Sequence, residues 1–178
     1  MSRFEKCEAL TESKVDGILG QDLIDVAQNR PQGGALALRG DIGGSTLSAL
    51  SFVMCTSEGD GGAVHLNGAR RSVVSTIKNV TFDQCSAMFD GGALFTGNDT
   101  AVNTLYSSFE NCASGKRGGA LFAAVPVGSV QNSLFVNNEA GVQGGAIHLG
   151  DDYSTYLLGL QHTNVHKHRV ANILTRFR

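Results

Sequence analysis

A tetrapeptide, Gly-Gly-Ala followed by an aliphatic residue, recurs five times in this chain of 178 residues. Successive copies lie 28, 30, 27 and 26 residues apart. A near-constant period of this length is typical of repeat architectures, in which each unit packs only against its neighbours. The repeat therefore restricts the chain to a solenoid or a related array. The copies are Gly33-Gly34-Ala35-Leu36, Gly61-Gly62-Ala63-Val64, Gly91-Gly92-Ala93-Leu94, Gly118-Gly119-Ala120-Leu121 and Gly144-Gly145-Ala146-Ile147.

A second motif, Phe with Cys or Asn three positions later, begins nine residues before four of the Gly-Gly pairs. The nine-residue interval is constant, whereas the interval from Gly-Gly to the next Phe is 19, 21, 18 or 17 residues. Length variation therefore falls on one side of the unit, as it does for the loops of a solenoid. The four pairs are Phe52 with Cys55, Phe82 with Cys85, Phe109 with Cys112, and Phe135 with Asn138.

Short segments with strand character fill each unit. The residues after each Gly-Gly alternate with period two over four positions, and the segments before each Phe are rich in Val, Thr, Ser, Leu and Ile. Neither segment is long enough for a helix. We therefore predict an all-β, right-handed parallel β-helix of five to six coils, the handedness following the general rule for parallel crossovers. Residues 1–23 are assigned to a cap or degenerate first coil, 24–163 to the repeats, and 164–178 to a basic tail.

Equivalent residues of successive coils should form columns, because neighbouring strands lie about 4.8 Å apart. The Phe residues and the aliphatic residues after Gly-Gly-Ala are predicted to be inward columns. The Gly-Gly pairs are predicted to be corners where backbone dihedral angles or crowding exclude a side chain. The residue three after each Phe is expected to satisfy buried peptide groups of a turn.

The column of Cys55, Cys85 and Cys112 allows two interpretations. One is a disulfide or metal site, and the other is a ladder of small buried thiols in place of Asn. We favour the second, because Cβ vectors of parallel neighbours do not converge. No metal site is predicted.

The residue before each Gly-Gly forms a column with mixed charge. Its carboxylates at Asp60 and Asp90, with Arg117 on the next coil, would suit calcium binding or action on an acidic polysaccharide. The alternative is a solvated turn with a partial charge ladder. The column comprises Gln32, Asp60, Asp90, Arg117 and Gln143.

A further column should point outward after each Gly-Gly, if the aliphatic residues point inward. Neighbouring outward aromatic residues would form an apolar stripe, which is a candidate contact surface for a partner. The alternative is that a loop or another segment covers Phe95 and Phe122. His65 and His148 are three coils apart, about 14 Å, which is too far for a shared metal. The column comprises Ala37, His65, Phe95, Phe122 and His148.

Composition excludes several function classes. A net charge of −2 gives no basic field for nucleic acid, and no apolar run approaches the ~20 residues that span a bilayer. We therefore expect no nucleic-acid partner and no membrane insertion by this chain, and no signal peptide is visible. The common catalytic and cofactor-binding motifs do not occur, so no cofactor is predicted. The basic tail carries His162, His166 and His168, which we interpret as a frayed end.

The paired motifs, Gly-Gly-Ala-[Ile/Leu/Val] with Phe-x-x-Asn, resemble the repeat of the polymorphic outer-membrane proteins. These are surface-displayed β-helical passenger domains of bacterial autotransporters. The resemblance covers residues 24–163, and it departs from the family where Cys55, Cys85 and Cys112 replace Asn. It implies an extracellular or cell-surface location. We also expect the chain to be part of a longer solenoid, because so short a stack leaves open sheet ends.

The function that this resemblance implies is a non-enzymatic, adhesin-like scaffold that binds protein or glycan through its outer face. End-on self-association is a further expectation, because a short stack leaves open sheet ends. The alternative is a pectate-lyase-like enzyme or a carbohydrate-binding module on the same coil. In that case Asp60, Asp90 and Arg117 would be the candidate catalytic residues.

Overall fold

The structure is a computed structural model, and it describes residues 2–5, 32–40, 46–68, 74–97, 100–124, 129–150, 159–161, 164–166 and 169–170. Those residues contain short strands and no helix. The strands assemble into four sheets, and the pairings within each sheet are parallel. The prediction of an all-β parallel β-helix is therefore confirmed.

Each coil contributes one strand to each sheet, and we number the sheets by the position of that strand after Gly-Gly. Sheet 1 contains β2 (Leu36–Gly40), β6 (Val64–Gly68), β10 (Leu94–Thr96), β14 (Leu121–Ala123) and β18 (Ile147–Leu149). Sheet 2 contains β3 (Thr46–Ser48), β7 (Val74–Lys78), β11 (Ala101–Leu105), β15 (Ser129–Gln131) and β19 (Gly159–Gln161). Sheet 3 contains β1 (Ser2–Glu5), β4 (Leu50–Val53), β8 (Thr81–Asp83), β12 (Ser108–Glu110), β16 (Leu134–Val136) and β20 (Asn164–His166). Sheet 4 contains β5 (Thr56–Ser57), β9 (Ser86–Ala87), β13 (Ala113–Ser114), β17 (Glu139–Ala140) and β21 (Arg169–Val170).

The strand register places residues one repeat apart directly beside one another. Leu94 of β10 pairs with Val64 of β6 on one side and with Leu121 of β14 on the other. Equivalent positions therefore form columns along the solenoid axis, as the repeat predicted. The stack makes about four turns between Gly33 and Gly144, and β18–β21 extend it, so that three of the sheets contain five strands and sheet 3 contains six.

Among the side chains that the structure describes, four Phe rings stack at the centre of the core beneath sheet 3. Successive ring centroids lie 5.2, 4.7 and 4.6 Å apart, with interplanar angles of 9°, 14° and 3°. All four side chains are fully buried. The strand spacing imposes this close stacking, because each ring lies on the strand next to that of its neighbour. The rings belong to Phe52, Phe82, Phe109 and Phe135.

The Gly-Gly corner excludes side chains for two separate reasons. The first glycine has a positive φ in every copy, for example +68° at Gly61, a conformation that residues with a Cβ rarely adopt. The second glycine lies against backbone, because a Cβ at Gly62 would overlap the carbonyl oxygens of Gly92 and Ser86. Both reasons predicted from the sequence are confirmed: the dihedral angle excludes a side chain at the first glycine, and backbone crowding does so at both.

The column three residues after each Phe satisfies buried peptide groups, as predicted. Asn138 donates from Nδ2 to the carbonyl of Phe109 at 2.9 Å, and its Oδ1 accepts the N–H of Cys112 at 2.9 Å. The thiol of Cys112 lies 3.2 Å from the carbonyl oxygen of Glu110 and 3.9 Å from that of Phe82. The free thiols of Cys85 and Cys112 therefore replace the amide donor of Asn with a weaker one.

Counted between positions that pair in register, three of the four corners have a constant length in the coils that the structure describes. Sheet 4 strands end seven residues before the next sheet 1 strand begins, for example Ser57 before Val64 and Ala87 before Leu94. Only the connection from sheet 1 to sheet 2 varies. The length variation seen in the sequence therefore occurs at a single corner.

The outermost strands extend the solenoid at both ends. At the amino end, β1 lies within the segment 1–23 that was assigned to a cap, and it pairs with β4 in sheet 3. At the carboxyl end, β20 pairs with β16 and β21 pairs with β17. Residues 164–166 and 169–170 of the predicted tail therefore continue the sheets.

Candidate functional site

The aromatic residues that follow Gly-Gly form a continuous ladder on the outer side of sheet 1. His65 stacks on Phe95 at 4.7 Å with an interplanar angle of 2°. Phe95 stacks on Phe122 at 5.1 Å and 8°, and Phe122 stacks on His148 at 5.4 Å and 7°. We call these four residues the aromatic ladder. Ala37, the fifth member of the column, pairs with His65 and carries no ring.

The stacking decides which part of each ring can meet a partner. Phe95 and Phe122 have a ring on both faces, so only their edges point away from the solenoid. Ring edges carry the positive end of the aromatic quadrupole, and they favour contact with electron-rich oxygen atoms. A partner that needs an open ring face would not find one at these two residues.

The aromatic ladder points away from the core, as predicted, but it is less exposed than an open stripe. The core on this side consists of the alternate residues, including Val64, Leu66 and Leu94. His65 is 2% exposed and Phe122 is 4% exposed, whereas Phe95 and His148 are half-buried. The reason at Phe122 is the guanidinium of Arg117, which lies 4.6 Å from the ring centroid.

Arg117 connects the aromatic ladder to the charged column. Its Nε donates to Asp90 Oδ1 at 3.1 Å, and its Nη2 donates to Asp90 Oδ2 at 2.7 Å. The Arg117 backbone N–H also donates to Asp90 Oδ1, at 3.0 Å. The bidentate contact of the Arg117 side chain with the Asp90 carboxylate fixes the guanidinium over Phe122.

The two carboxylates of the charged column bind backbone of the next coil. Asp60 Oδ1 accepts the N–H of Asp90 at 3.0 Å, just as Asp90 accepts that of Arg117. Burial raises the pKa of Asp60 above its ordinary value. These bonds give both carboxylates a structural role in joining coils, which corresponds to the charge-ladder interpretation.

Arg39 lies at the amino end of the aromatic ladder and was not singled out in the sequence. It is half-buried on β2, on the same face as Ala37, two residues further along the strand. Its Nη2 donates to Gln32 Oε1 at 2.6 Å, while its Nε is buried and has no hydrogen-bond partner. Only the register of β2 against β6 brings Arg39 close to His65, so the repeat motif gave no signal for it.

His65 is neutral in this position. Burial lowers its pKa from 6.5 to about 4, and the nearby positive charge of Arg39 contributes in the same direction. Its Nδ1 is buried without a hydrogen-bond partner. The amino end of the ladder thus combines two nitrogen atoms that are desolvated and unpaired.

A second group of surface residues, beside sheet 4, was also missed. Met88 is 61% exposed and Val142 is 43% exposed. The Lys116 ammonium lies 4.4 Å from the ring centroid of Phe89. These residues lie one or two positions before the charged column. Because their residue types do not repeat from coil to coil, the repeat pattern did not predict them.

The cysteine column contains both oxidised and free sulfur. Cys85 and Cys112 are free and buried, whereas Cys55 is disulfide-bonded. Its bonding partner is therefore not a member of the column, which agrees with the expectation that column neighbours do not pair. The buried-thiol interpretation holds for Cys85 and Cys112 and is wrong for Cys55. Burial raises the pKa of the Cys112 thiol well above its ordinary range.

Neither a metal cluster nor a membrane-spanning helix is found in the part of the chain that the structure describes. No three His, Cys, Asp or Glu residues converge there in a way that could hold a metal ion. None of its segments forms a helix long and apolar enough to cross a bilayer. His162 and His168 lie outside the described residues, as do the side chains of 164–166.

No family model, curated protein or solved structure matches the chain.

Proposed function

We propose that this protein is a non-enzymatic binding scaffold that contacts a protein or glycan through the outer face of sheet 1. The observation that carries the proposal is the aromatic ladder, a stack of four rings outside the core. The solenoid holds the aromatic ladder rigidly, because its rings lie on strands of sheet 1. The strands β6, β10 and β14 are each paired on both sides, and β18 lies at the end of the sheet.

The exposed parts of the ladder define where contact would occur. Phe95 and His148 are the half-buried members, and the guanidinium of Arg117 lies beside them over Phe122. Phe, the other aromatic residues and Arg are enriched in protein–protein interfaces relative to the rest of the surface. The resemblance to polymorphic outer-membrane repeats supports a location at the cell surface.

The test measures binding to defined surface molecules by surface plasmon resonance. The probes are fibronectin, laminin, heparan sulfate and polygalacturonate. The ladder variant combines Phe95→Ser with His148→Ser, and the matched control combines Met88→Ser with Val142→Ser at apolar positions outside the ladder. We expect the ladder variant to lose at least about tenfold in affinity for the bound probe, since aromatic anchors commonly contribute more than 1 kcal/mol, and the control to keep its affinity.

Three results would count against this function. They are equal binding by the ladder variant and the unmodified protein, equal loss in the control, or no binding of any probe. The enzymatic alternative makes a different prediction for polygalacturonate with calcium. Release of unsaturated chain ends that disappears in Asp90→Ala would replace the scaffold proposal with a lyase.

A further inference from the structure

Arg39 is a half-buried cation without an acidic partner in the described part of the chain. Its one hydrogen bond there is from Nη2 to the neutral amide oxygen of Gln32, at 2.6 Å. The adjacent Nε is buried and unpaired. A desolvated donor without an acceptor is unfavourable, and for a cation it is more unfavourable than for a neutral group. The guanidinium therefore lacks one acceptor on its Nε side.

The same protein shows how this edge of a guanidinium is normally filled. Arg117 uses Nε and Nη2 together to hold the two carboxylate oxygens of Asp90, at 3.1 and 2.7 Å. Gln32 occupies the same repeat position as Asp90, directly before Gly-Gly. At Arg39, however, an amide replaces the carboxylate, and it fills Nη2 alone. The Nε and Nη2 edge of Arg39 could donate to two oxygen atoms, but only Nη2 has an acceptor.

His65 adds a second unpaired nitrogen beside this edge. Its Nδ1 has no hydrogen-bond partner, and the residue is 2% exposed. Ala37 pairs with His65 across β2 and β6, and Arg39 lies diagonal to it on the same face, within reach of a long side chain. The lowering of the His65 pKa by the charge of Arg39 is consistent with this proximity.

We propose that Arg39 and His65 form a binding site for one carboxylate group, which takes the place of the Gln32 amide on Arg39. The carboxylate oxygens would accept from Arg39 Nε and Nη2, and His65 Nδ1 would donate to one of them when it carries the imidazole proton. The carboxylate comes either from a free small acid or from an acidic side chain of a partner. The second source rests on the proposed binding function, and the site itself does not.

The first test measures the melting temperature at pH 7 in sodium acetate and in sodium chloride of equal ionic strength. We expect a saturable rise in acetate alone, with the unfolding equilibrium constant falling about tenfold when acetate reaches ten times its Kd. Arg39→Gln should remove the rise. Lys78→Gln, which neutralises an exposed cation on sheet 2, should keep it.

A second variant covers the case in which Arg39→Gln does not fold. Gln32→Glu places a carboxylate on the chain itself, so it should melt at a higher temperature than the unmodified protein and should no longer respond to acetate. Equal effects of acetate and chloride on the unmodified protein would overturn the site. An acetate response that persists in both Arg39→Gln and Gln32→Glu would also overturn it.

The source of the carboxylate is separated by titration with two capped tripeptides, Gly-Glu-Gly and Gly-Gln-Gly. Tighter binding of the Glu peptide than of acetate supports an acidic partner side chain, and equal binding supports a free acid. Binding of the Gln peptide as tightly as the Glu peptide counts against the site. An acetate response together with no binding of the macromolecular probes would keep the carboxylate site and overturn the scaffold function.

Discussion

Replacement of His65 by Phe should make the protein less sensitive to acid. His65 is 2% exposed, its Nδ1 is unpaired, and its pKa is lowered to about 4. Phe at this position can continue the stack on Phe95, which lies 4.7 Å away. The substitution therefore removes the titrating group while keeping the ring.

The sign follows from proton uptake. Between about pH 6.5 and pH 4, the unfolded chain protonates this imidazole and the folded protein does not, so acid favours unfolding. The contribution of the neutral His65 to stability is fully present above its pKa in the unfolded chain, 6.5, and it is lost as the pH falls toward about 4. With a pKa of 6.5 unfolded and about 4 folded, lowering the pH from 7 to 5 removes about 2 kcal/mol.

The assay is urea unfolding of the unmodified protein and of His65→Phe at pH 7 and pH 5. The free energy of unfolding should fall by about 2 kcal/mol more in the unmodified protein than in the variant. His148→Phe, at the other end of the aromatic ladder, is the matched control, because it leaves His65 in place and so keeps the loss that His65 causes. An equal fall in the unmodified protein and in His65→Phe would refute the assignment of acid sensitivity to His65.

Three further substitutions test the internal columns, each by the change in the free energy of unfolding in urea. Thr104→Val should stabilise the protein by about 1 kcal/mol, because Thr104 Oγ1 is buried without a partner between Ile77 and Val130. Cys112→Asn should also stabilise by about 1 kcal/mol, since Asn138 shows that an amide here makes two buried hydrogen bonds. Gly62→Ala should destabilise by more than about 3 kcal/mol, because its Cβ would overlap two carbonyl oxygens.

Each of these substitutions has a control or a contrary result. Thr100→Val is the control for Thr104→Val and should destabilise, since Thr100 Oγ1 accepts the N–H of Gly68. Cys112→Ala controls for Cys112→Asn and should give no gain, because alanine cannot form the hydrogen bonds. A loss below about 1 kcal/mol for Gly62→Ala would show that the corner can relax, against the close packing described.

The repeat was sufficient to predict the fold because one pattern determined every register. Once Phe82 and Phe109 are one period apart, the strand spacing alone brings them together, and the structure stacks them at 4.7 Å. The glycine corners followed in the same way. These features depend on position in the repeat and not on the details of any one coil.

The candidate site was predictable only in part, because it depends on differences between coils. The column containing Phe95 could be placed outside the core from alternation alone. The exposure of the individual rings could not be predicted. Phe122 is covered by Arg117, which is held in place by Asp90 of the neighbouring coil. The unpaired Arg39 Nε likewise requires the positions of individual atoms, which a period does not contain.

The single corner of variable length has a practical consequence for engineering. Because the connections from sheet 1 to sheet 2 already differ in length while every other corner is constant, a foreign peptide inserted there leaves the remaining three corners at their native spacing. Longer insertions at a loop add closure entropy only slowly, about 0.6 kcal/mol for each doubling of length. Several grafted peptides, one on each coil, would project side by side from neighbouring strands about 4.8 Å apart.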